Sequence, residues 1–189
     1  MHFARLALTL LVPPAIVVSS FGCSDPVPPT PRGAFSVSFV EFPVIECQIG
    51  GHNTKVGDVT DSTKAKLIND AEDDTEVECD VSGSGTFRAT GSIFQKKINF
   101  LEIVIPGIAP STSEAAPAKG SIAFSSFNTS GEAYSSDQCD FWFDNSQQGV
   151  DAGKLWVAFK CDAVTGEQST CKISQGYVIF ENCGTGAED

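Results

Sequence analysis

Histidine is nearly absent from this chain of 189 residues, in which only His2 and His52 occur. A Ser-His-Asp hydrolase needs an imidazole as its general base, and removal of an amino-terminal segment would leave only His52. His52 lies in the turn-like sequence of residues 50–53, and no Gly-x-Ser-x-Gly motif offers a nucleophile. We therefore predict no catalytic residue and no enzyme activity.

Basic residues are also scarce, with 12 Lys and Arg against 24 Asp and Glu. Arg5 is the only charged residue among the first 22, so the rest of the chain carries a net charge of −13. Such a field repels polyanions, which excludes nucleic acid as an expected partner. The same field would attract divalent cations or basic ligands, although solubility is the simpler explanation.

Long apolar runs are missing except at the amino terminus, where residues 6–18 are largely apolar. That run contains Pro13 and Pro14 and is too short to span about 30 Å of hydrocarbon as a permanent helix. It follows Arg5 and precedes small residues, which is the layout of a cleavable export signal. Residues 1–22 are therefore predicted to be a signal peptide.

The signal ends in Ser20-Phe21-Gly22-Cys23, which resembles the lipobox of bacterial lipoproteins. In that family a small residue precedes a Cys that receives lipid and becomes the new amino terminus. The resemblance implies lipid attachment at Cys23, a membrane partner reached through that lipid, and a place in the bacterial cell envelope. Ser24 resembles the sorting residue of outer-membrane lipoproteins. Ser20 and Gly22 also suit an ordinary signal peptidase, which would leave Cys23 unmodified on a secreted protein.

Cysteine parity separates Cys23 from the rest of the chain, because seven cysteines cannot all pair with one another. The other six contain no Cys-x-x-Cys pair, and their wide spacing suits structural disulfides in an oxidising compartment rather than a zinc site. These six are Cys47, Cys79, Cys139, Cys161, Cys171 and Cys183. Cys161 and Cys171 flank a hairpin loop and are the pair that we predict, although six cysteines permit 15 connectivities.

Proline is concentrated just after Cys23, with four prolines in residues 24–31. Such a segment is semi-extended, with about 3.1 Å of reach per residue, and acts as a tether. We therefore divide the chain into four parts. They are a signal peptide (1–22), a lipid-attachment Cys with its tether (23–33), one folded domain (34–183) and a disordered tail (184–189).

Leucine and methionine are scarce in the mature chain, whereas the sequence holds 14 Phe, 17 Gly and many Val, Ile and Thr. This composition favours strands joined by tight turns. Apolar and polar residues alternate in residues 35–39, 76–81 and 87–93, as in strands with one buried face. Residues 62–71 also fit a short helix, but we favour an extended segment. We predict an all-β fold: an antiparallel β-sandwich or jelly roll of about 7 to 10 strands, stabilised by disulfides.

Acidic residues cluster in residues 70–80 and again in residues 140–151, which raises the question of calcium binding. Carboxylates crowded on a loop repel one another less when a cation is bound. However, the glycine at the sixth position of an EF-hand loop is missing, and solvated acids at strand ends are the commoner explanation. We therefore predict no metal site and no cofactor.

Trp142 and Trp156 are the candidate ligand-binding residues, because flat aromatic side chains bind sugar rings in carbohydrate-binding modules of the β-sandwich type. In Phe141-Trp142-Phe143, alternation places Trp142 opposite both Phe. The strand therefore either exposes one of these faces or is central and buried on both sides, and we favour the second. 

We predict a membrane-tethered, non-enzymatic binding or structural surface module, with a surface polysaccharide or a protein as its partner. The alternative is a secreted or tethered carbohydrate-binding module that uses exposed aromatic side chains. Fold class alone does not choose between the two.

Overall fold

β-Strands are the only regular secondary structure in residues 28–40, 47–59 and 65–186, which the computed structural model describes. The predicted signal peptide and Cys23 lie outside these ranges. Within them, no helix is long and apolar enough to cross a membrane. The strands are β1 (Arg32–Val40), β2 (His52–Val56), β3 (Ile68–Asn69), β4 (Thr75–Ser84), β5 (Thr86–Gln95), β6 (Asn99–Ile108), β7 (Ala118–Ser125), β8 (Tyr134–Trp142), β9 (Gly149–Asp151), β10 (Lys154–Thr165) and β11 (Thr170–Glu181). The all-β prediction is confirmed.

All eleven strands belong to one hydrogen-bonded sheet, in the order β2-β1-β11-β10-β8-β7-β6-β5-β4. β3 adds to β1, β9 adds to β10, and the strand pairs are antiparallel. The sheet curls into a half-barrel whose edge strands are β2 and β4. The two-layer form of the prediction, a sandwich or jelly roll, is not confirmed, because β4 to β8 pair in chain order within the single sheet.

The main hydrophobic core fills the concave side of the curled sheet. Strand alternation decides which side chains enter it: in β4, Val77 and Val81 are buried, whereas Glu76 and Glu78 are exposed, as predicted. The Phe-rich composition supplies seven of the buried residues of this core, which Val and Ile side chains complete. Its fully buried Phe side chains are Phe35, Phe39, Phe124, Phe141, Phe159 and Phe180.

Gly91 allows β5 to approach β11 across the concave side, although the two strands are far apart in the sheet order. A Cβ atom at Gly91 would lie 2.8 Å from Cζ of Phe180. Real Cβ atoms do not come so close to other heavy atoms, so a larger residue would displace the Phe180 ring. The missing side chain at Gly91 is therefore part of what lets the sheet curl tightly.

The chain that follows β11 closes the half-barrel against the edge strand β4. The Val81 N–H donates to the Gly184 carbonyl at 2.8 Å, and the Gly184 N–H donates to the Cys79 carbonyl at 2.9 Å. The Gly186 N–H donates to Oδ2 of Asp80 at 3.0 Å. Residues 184–186 therefore belong to the fold and not to a disordered tail as predicted, while residues 187–189 lie outside the described ranges.

Three disulfides join the six predicted cysteines: Cys47–Cys171, Cys79–Cys183 and Cys139–Cys161. The predicted pair Cys161–Cys171 is wrong. In the β10–β11 ladder Cys161 lies opposite Ile173, and Cys171 lies opposite Val164, because the ladder shifts register between them. Cys161 bonds instead to its neighbour on β8, where the pairing of Lys160 with Asp140 brings Cys139 opposite. Cys161 and Cys171 therefore flank the same hairpin loop without forming a disulfide with each other.

Two regions that were hard to interpret in sequence are extended in the described residues. His52 begins β2 and does not lie within a turn, because its strand pairs with β1 from Phe39 to Phe35. Residues 68–69 form β3, which pairs with β1. This agrees with the extended conformation predicted for residues 62–71, of which the structure describes residues 65–71.

The folded part of the chain begins slightly earlier than predicted, because β1 starts at Arg32, two residues before the predicted domain boundary.

Candidate functional site

The convex side of the sheet is divided into a covered half and an open half. Over β1, β8, β10 and β11, a second apolar cluster is covered by Val59, Ala65 and Leu67 from the connection between β2 and β3. The other buried members of this cluster are Ala34, Trp142, Trp156, Ala158, Tyr177 and Ile179. β8 is therefore a central strand that is buried on both sides, as favoured from the sequence.

Trp142 and Trp156 both lie in this covered cluster, with exposed fractions of only 4% and 6%. The Trp142 indole N–H donates to the carboxylate of Asp144, and Nζ of Lys160 lies 5.4 Å from the centre of the Trp142 ring. A sugar ring stacks on an exposed aromatic face, and neither indole offers one. Their burial removes the exposed platform on which the carbohydrate-binding alternative depends.

The open half of the convex side carries a groove across β4 to β8, which we call the acidic groove. Three cavities of about 230, 320 and 420 Å³ adjoin one another along it. Glu78 and Ser92 line both the first and the second cavity, and Glu102 lines both the second and the third. These shared residues place the three cavities side by side across β4 to β8, and we describe them together as one groove.

Strand register brings the residues of the acidic groove into line. Glu78 of β4 pairs with Ser92 of β5, which pairs with Glu102 of β6, which in turn pairs with Ala123 of β7. Since side chains at directly paired positions point to the same face of a sheet, this row crosses four strands on the convex side. A parallel row runs through Asp80, Thr90, Val104 and Ser121.

The lining of the acidic groove is negatively charged and rich in hydroxyl groups. Its carboxylates are Glu76, Glu78, Asp80, Glu102 and Asp137, and none of the Lys and Arg residues that the structure describes lines any of the three cavities. None of the ion pairs among the described residues uses these carboxylates. The groove therefore presents uncompensated negative charge to a ligand.

One end of the acidic groove is aromatic. Phe94 and Phe100 are half-buried there and meet edge to face, with ring centroids 6.0 Å apart and planes at 83°. Two perpendicular rings do not form the coplanar surface that suits sugar stacking. They supply apolar contact area beside Glu76 and Glu78.

Sequence reasoning found only part of this groove. The acidic run in residues 70–80 included Glu76, Glu78 and Asp80, whereas Glu102 and Asp137 were missed. A usable signal was present at Glu102, which is the one acid within the apolar residues 98–105 and must face outward from a strand with a buried face. In the part of the chain that the structure describes, no group of three or more His, Cys, Asp or Glu could hold a metal ion.

His52 lies beside a serine, but the pair lacks an accessible nucleophile. Nε2 of His52 is 3.4 Å from Oγ of Ser126, and Nδ1 lies 2.9 Å from the Gly50 carbonyl. The carbonyl can only accept, so Nδ1–H is the donor in that bond, while Nε2 lies within hydrogen-bonding distance of the serine hydroxyl. Ser126 is fully buried and its hydroxyl also accepts from the Thr129 N–H, so the pair links β2 to the loop after β7.

Tyr134 is a buried titratable group near this end of the core. Burial raises the pKa of its phenol, against a smaller lowering effect of the hydrogen bond with Ser169, whose Oγ lies 2.7 Å away. The neighbouring carboxylate of Glu132 raises the pKa further. The phenol is therefore protonated at neutral pH and serves as a buried hydrogen-bonding group.

A separate cavity of about 340 Å³ lies at the edge of the covered half, where Arg32, Lys154, Trp156 and Glu181 meet. Nη2 of Arg32 lies 2.6 Å from Oε2 of Glu181, and Nζ of Lys154 lies 2.9 Å from Oε1. Burial raises the pKa of Glu181, but the hydrogen bonds and charges of Lys154 and Arg32 outweigh it and hold the pKa below its ordinary value. Glu181 is therefore ionised at neutral pH.

Trp156 is one of the residues that line that cavity. Its indole N–H is buried and, in the structure of the described residues, has no hydrogen-bond acceptor. A buried donor without an acceptor costs about 1–3 kcal/mol, so such groups are rare in folded proteins.

Comparison of the chain with family models, with curated proteins and with solved structures found no match. No activity or ligand is therefore carried over from another protein, and the two cavity regions are interpreted from their own residues.

Proposed function

We propose that this chain is a lipid-tethered, non-enzymatic binding module of the bacterial cell envelope, and that the acidic groove is its binding face. The observation that carries the proposal is the contrast between the two halves of the convex side. The apolar half is covered by the chain itself, whereas the adjoining cavities over β4 to β8 are open to solvent. A concave surface with convergent polar groups is the usual form of a binding site.

The cysteines support the extracytoplasmic, tethered part of the proposal. Six of the seven are used in disulfides, which persist in oxidising compartments, and Cys23 is left over for lipid. The proline-rich segment joins the fold at a defined point, because the Thr30 carbonyl accepts from Nδ2 of Asn182 at 2.9 Å and the Pro31 carbonyl accepts from the Asp70 N–H at 2.9 Å. In this proposal the tether that begins at Cys23 is the spacer between the membrane and that point.

The charge of the groove supports a basic ligand, and its length supports an extended one. Five neighbouring strands at about 4.8 Å spacing give a groove of roughly 19 Å, which matches about six residues of extended peptide. Uncompensated carboxylates favour Lys and Arg side chains, and Phe94 with Phe100 supplies apolar contact at one end. A basic, extended segment of a partner protein is therefore the ligand that the groove fits best.

We expect the mature amino terminus to be a lipidated Cys23. Expression of the full chain in a bacterial host, followed by mass spectrometry of the unreduced amino-terminal tryptic fragment, measures this directly. A fragment that starts at Cys23 and carries a diacylglyceryl group supports the tether. An unmodified Cys23 would show instead that the protein is secreted without an anchor.

We expect the Glu78→Gln/Glu102→Gln variant to bind a basic peptide about tenfold more weakly than the wild-type chain. Each exposed charge pair is worth about 0.2–1 kcal/mol, and both carboxylates lie at the junctions between the cavities. Fluorescence anisotropy with labelled hexalysine at low ionic strength measures the affinity, which should fall as salt is added.

The matched control is Glu114→Gln/Glu167→Gln, which removes the same charge from exposed positions outside the groove. We expect this control to bind hexalysine within about twofold of the wild-type chain, because its long-range effect is screened by salt. Equal weakening in both variants would mean that net charge attracts the peptide and that the groove is not the site. Preferential binding of a neutral polysaccharide over hexalysine would also contradict the proposed ligand class.

A further inference from the structure

The Cys79–Cys183 bond, which we call the closing disulfide, lies in a different setting from the other two disulfides. It joins the edge strand β4 to residues 182–186, which we call the closing segment. The Cys139–Cys161 bond instead joins β8 and β10, which pair inside the sheet. The third bond ends on β11, which has a strand on each side. The closing disulfide is therefore the one at the margin of the sheet.

Burial separates the closing disulfide from the others as well. Cys79 is half-buried and is among the residues that line the cavity of about 320 Å³ in the acidic groove. Cys183 is 8% exposed, whereas the four remaining disulfide-bonded cysteines are between 0% and 5% exposed. A thiolate must reach a sulfur atom for thiol–disulfide exchange, so the rate of exchange depends on access. Cys79 and Cys183 are the least covered of the three pairs.

A short stretch of hydrogen bonds holds the closing segment in place. Its Gly184 pairs with β4 through two backbone hydrogen bonds, and the Gly186 N–H donates to Oδ2 of Asp80 at 3.0 Å. The Cys183 N–H donates to the Gly153 carbonyl at 3.0 Å. Short pairings near a chain end open locally at a lower free energy than the whole fold. Local opening of the closing segment therefore uncovers the sulfur atoms without separating the long strands.

We propose that the closing disulfide is a redox-sensitive switch, which a dithiol reductant opens before it reaches the other two disulfides. One thiolate of the reductant attacks one sulfur of the bond, and the other cysteine leaves as a thiolate. The second thiolate of the reductant then breaks the mixed disulfide and releases the first cysteine. The two protons lost by the reductant end on the two cysteines. Two electrons thus pass to the chain, and the reductant becomes a disulfide.

Opening of this switch changes one side of the acidic groove. Asp80 of β4 lines the cavity of about 320 Å³ and is hydrogen-bonded to the closing segment. Release of that segment frees the outer edge of β4, so a ligand must order this strand again when it binds. Reduction therefore weakens binding in the groove, a consequence that rests on the function proposed above.

Graded reduction tests the switch without any ligand. Free thiols of the mature, disulfide-bonded chain are first blocked with N-ethylmaleimide. The chain is then treated with dithiothreitol in native buffer, alkylated with iodoacetamide and analysed by peptide mass spectrometry. We expect Cys79 and Cys183 to be alkylated about tenfold faster than the other four cysteines. In the same sample, hydrogen exchange should show faster exchange of the Val81 and Gly184 amides, while the amides of β10 stay protected.

Hexalysine affinity tests the consequence for the groove. The selectively reduced and alkylated chain should bind labelled hexalysine about threefold or more weakly than the oxidised chain in fluorescence anisotropy. Iodoacetamide adds no charge, so the net charge of the chain is unchanged. The Cys79→Ala/Cys183→Ala variant is the matched control, because dithiothreitol should leave its affinity unchanged.

Two results would overturn the switch. One is alkylation of all six cysteines at the same rate, or of another pair first. The other is an unchanged affinity after selective reduction of a chain whose groove binding the Glu78→Gln/Glu102→Gln variant has established. If the oxidised chain does not bind hexalysine at all, the proposed function fails. In that case the order of alkylation and the hydrogen exchange alone decide whether the closing disulfide is a switch.

Discussion

Replacement of Cys79 and Cys183 together by Ala is expected to lower the free energy of unfolding by about 2–5 kcal/mol. This disulfide spans 104 residues and joins the edge strand β4 to the chain that leaves β11. A long closed loop restricts the unfolded chain strongly, so the loss of stability should lie in the upper part of this range. Urea denaturation of the oxidised protein, followed by Trp fluorescence, measures the change.

The matched control for this disulfide is the double variant Cys139→Ala/Cys161→Ala. Its loop spans only 22 residues, and it links β8 and β10, which already pair in the sheet. The loop-length dependence predicts a loss smaller by about 1.4 kcal/mol than for the Cys79–Cys183 bond. Hydrogen exchange gives a second measurement, because the Val81 and Gly184 amides that close the half-barrel should exchange faster only in the first variant. Equal losses of stability and equal exchange in both variants would contradict a closing role for Cys79–Cys183.

Local rules predicted the strands well wherever one face is buried. Val77 and Val81 point inward and Glu76 and Glu78 outward because strand geometry alone imposes a period of two. Residues 87–93, whose alternation predicts a strand, all lie in β5. These features depend on residues that are close together in the sequence, so they can be predicted from one sequence.

Features that depend on distant neighbours were missed. The Cys139–Cys161 bond follows from the pairing of β8 with β10, and no local pattern states which strands pair. The single curled sheet, in place of two stacked sheets, depends on close approaches such as that of Phe180 to Gly91. His52 was placed in a turn because glycines precede it, but pairing with β1 extends it as the start of β2.

The candidate sites show the same division between local and distant information. The Phe141-Trp142-Phe143 pattern left two alternatives: a strand with one exposed aromatic face, or a strand buried on both faces. The choice between them depends on the pairing of β8 with a strand on each side, which the sequence does not show. The acidic groove needs five strands in register, so Glu102 and Asp137 could not be linked to Glu78 from the sequence. The Trp156 cavity likewise joins Arg32 to Glu181, which are 149 residues apart.

A methyl group at Gly176 is expected to destabilise the fold by about 1–3 kcal/mol or more. Gly176 of β11 lies directly opposite Phe159 of β10, and the Phe159 ring rests on the glycine backbone. A Cβ atom there would lie 2.2 Å from Cζ of Phe159, which the fully buried ring cannot accommodate without moving its neighbours. Urea denaturation of Gly176→Ala measures the loss.

Gly149→Ala is the matched control, because Gly149 also lies in a strand but its Cβ would meet no heavy atom within 4 Å. We expect its stability to change by less than about 0.5 kcal/mol. A double-mutant cycle with Phe159→Leu then isolates the cause. If the ring clash is responsible, Gly176→Ala should cost less in the Phe159→Leu background, with a coupling energy of about 0.5–3 kcal/mol. If the two changes add without coupling, the loss comes from β11 alone and the ring of Phe159 does not require glycine at position 176.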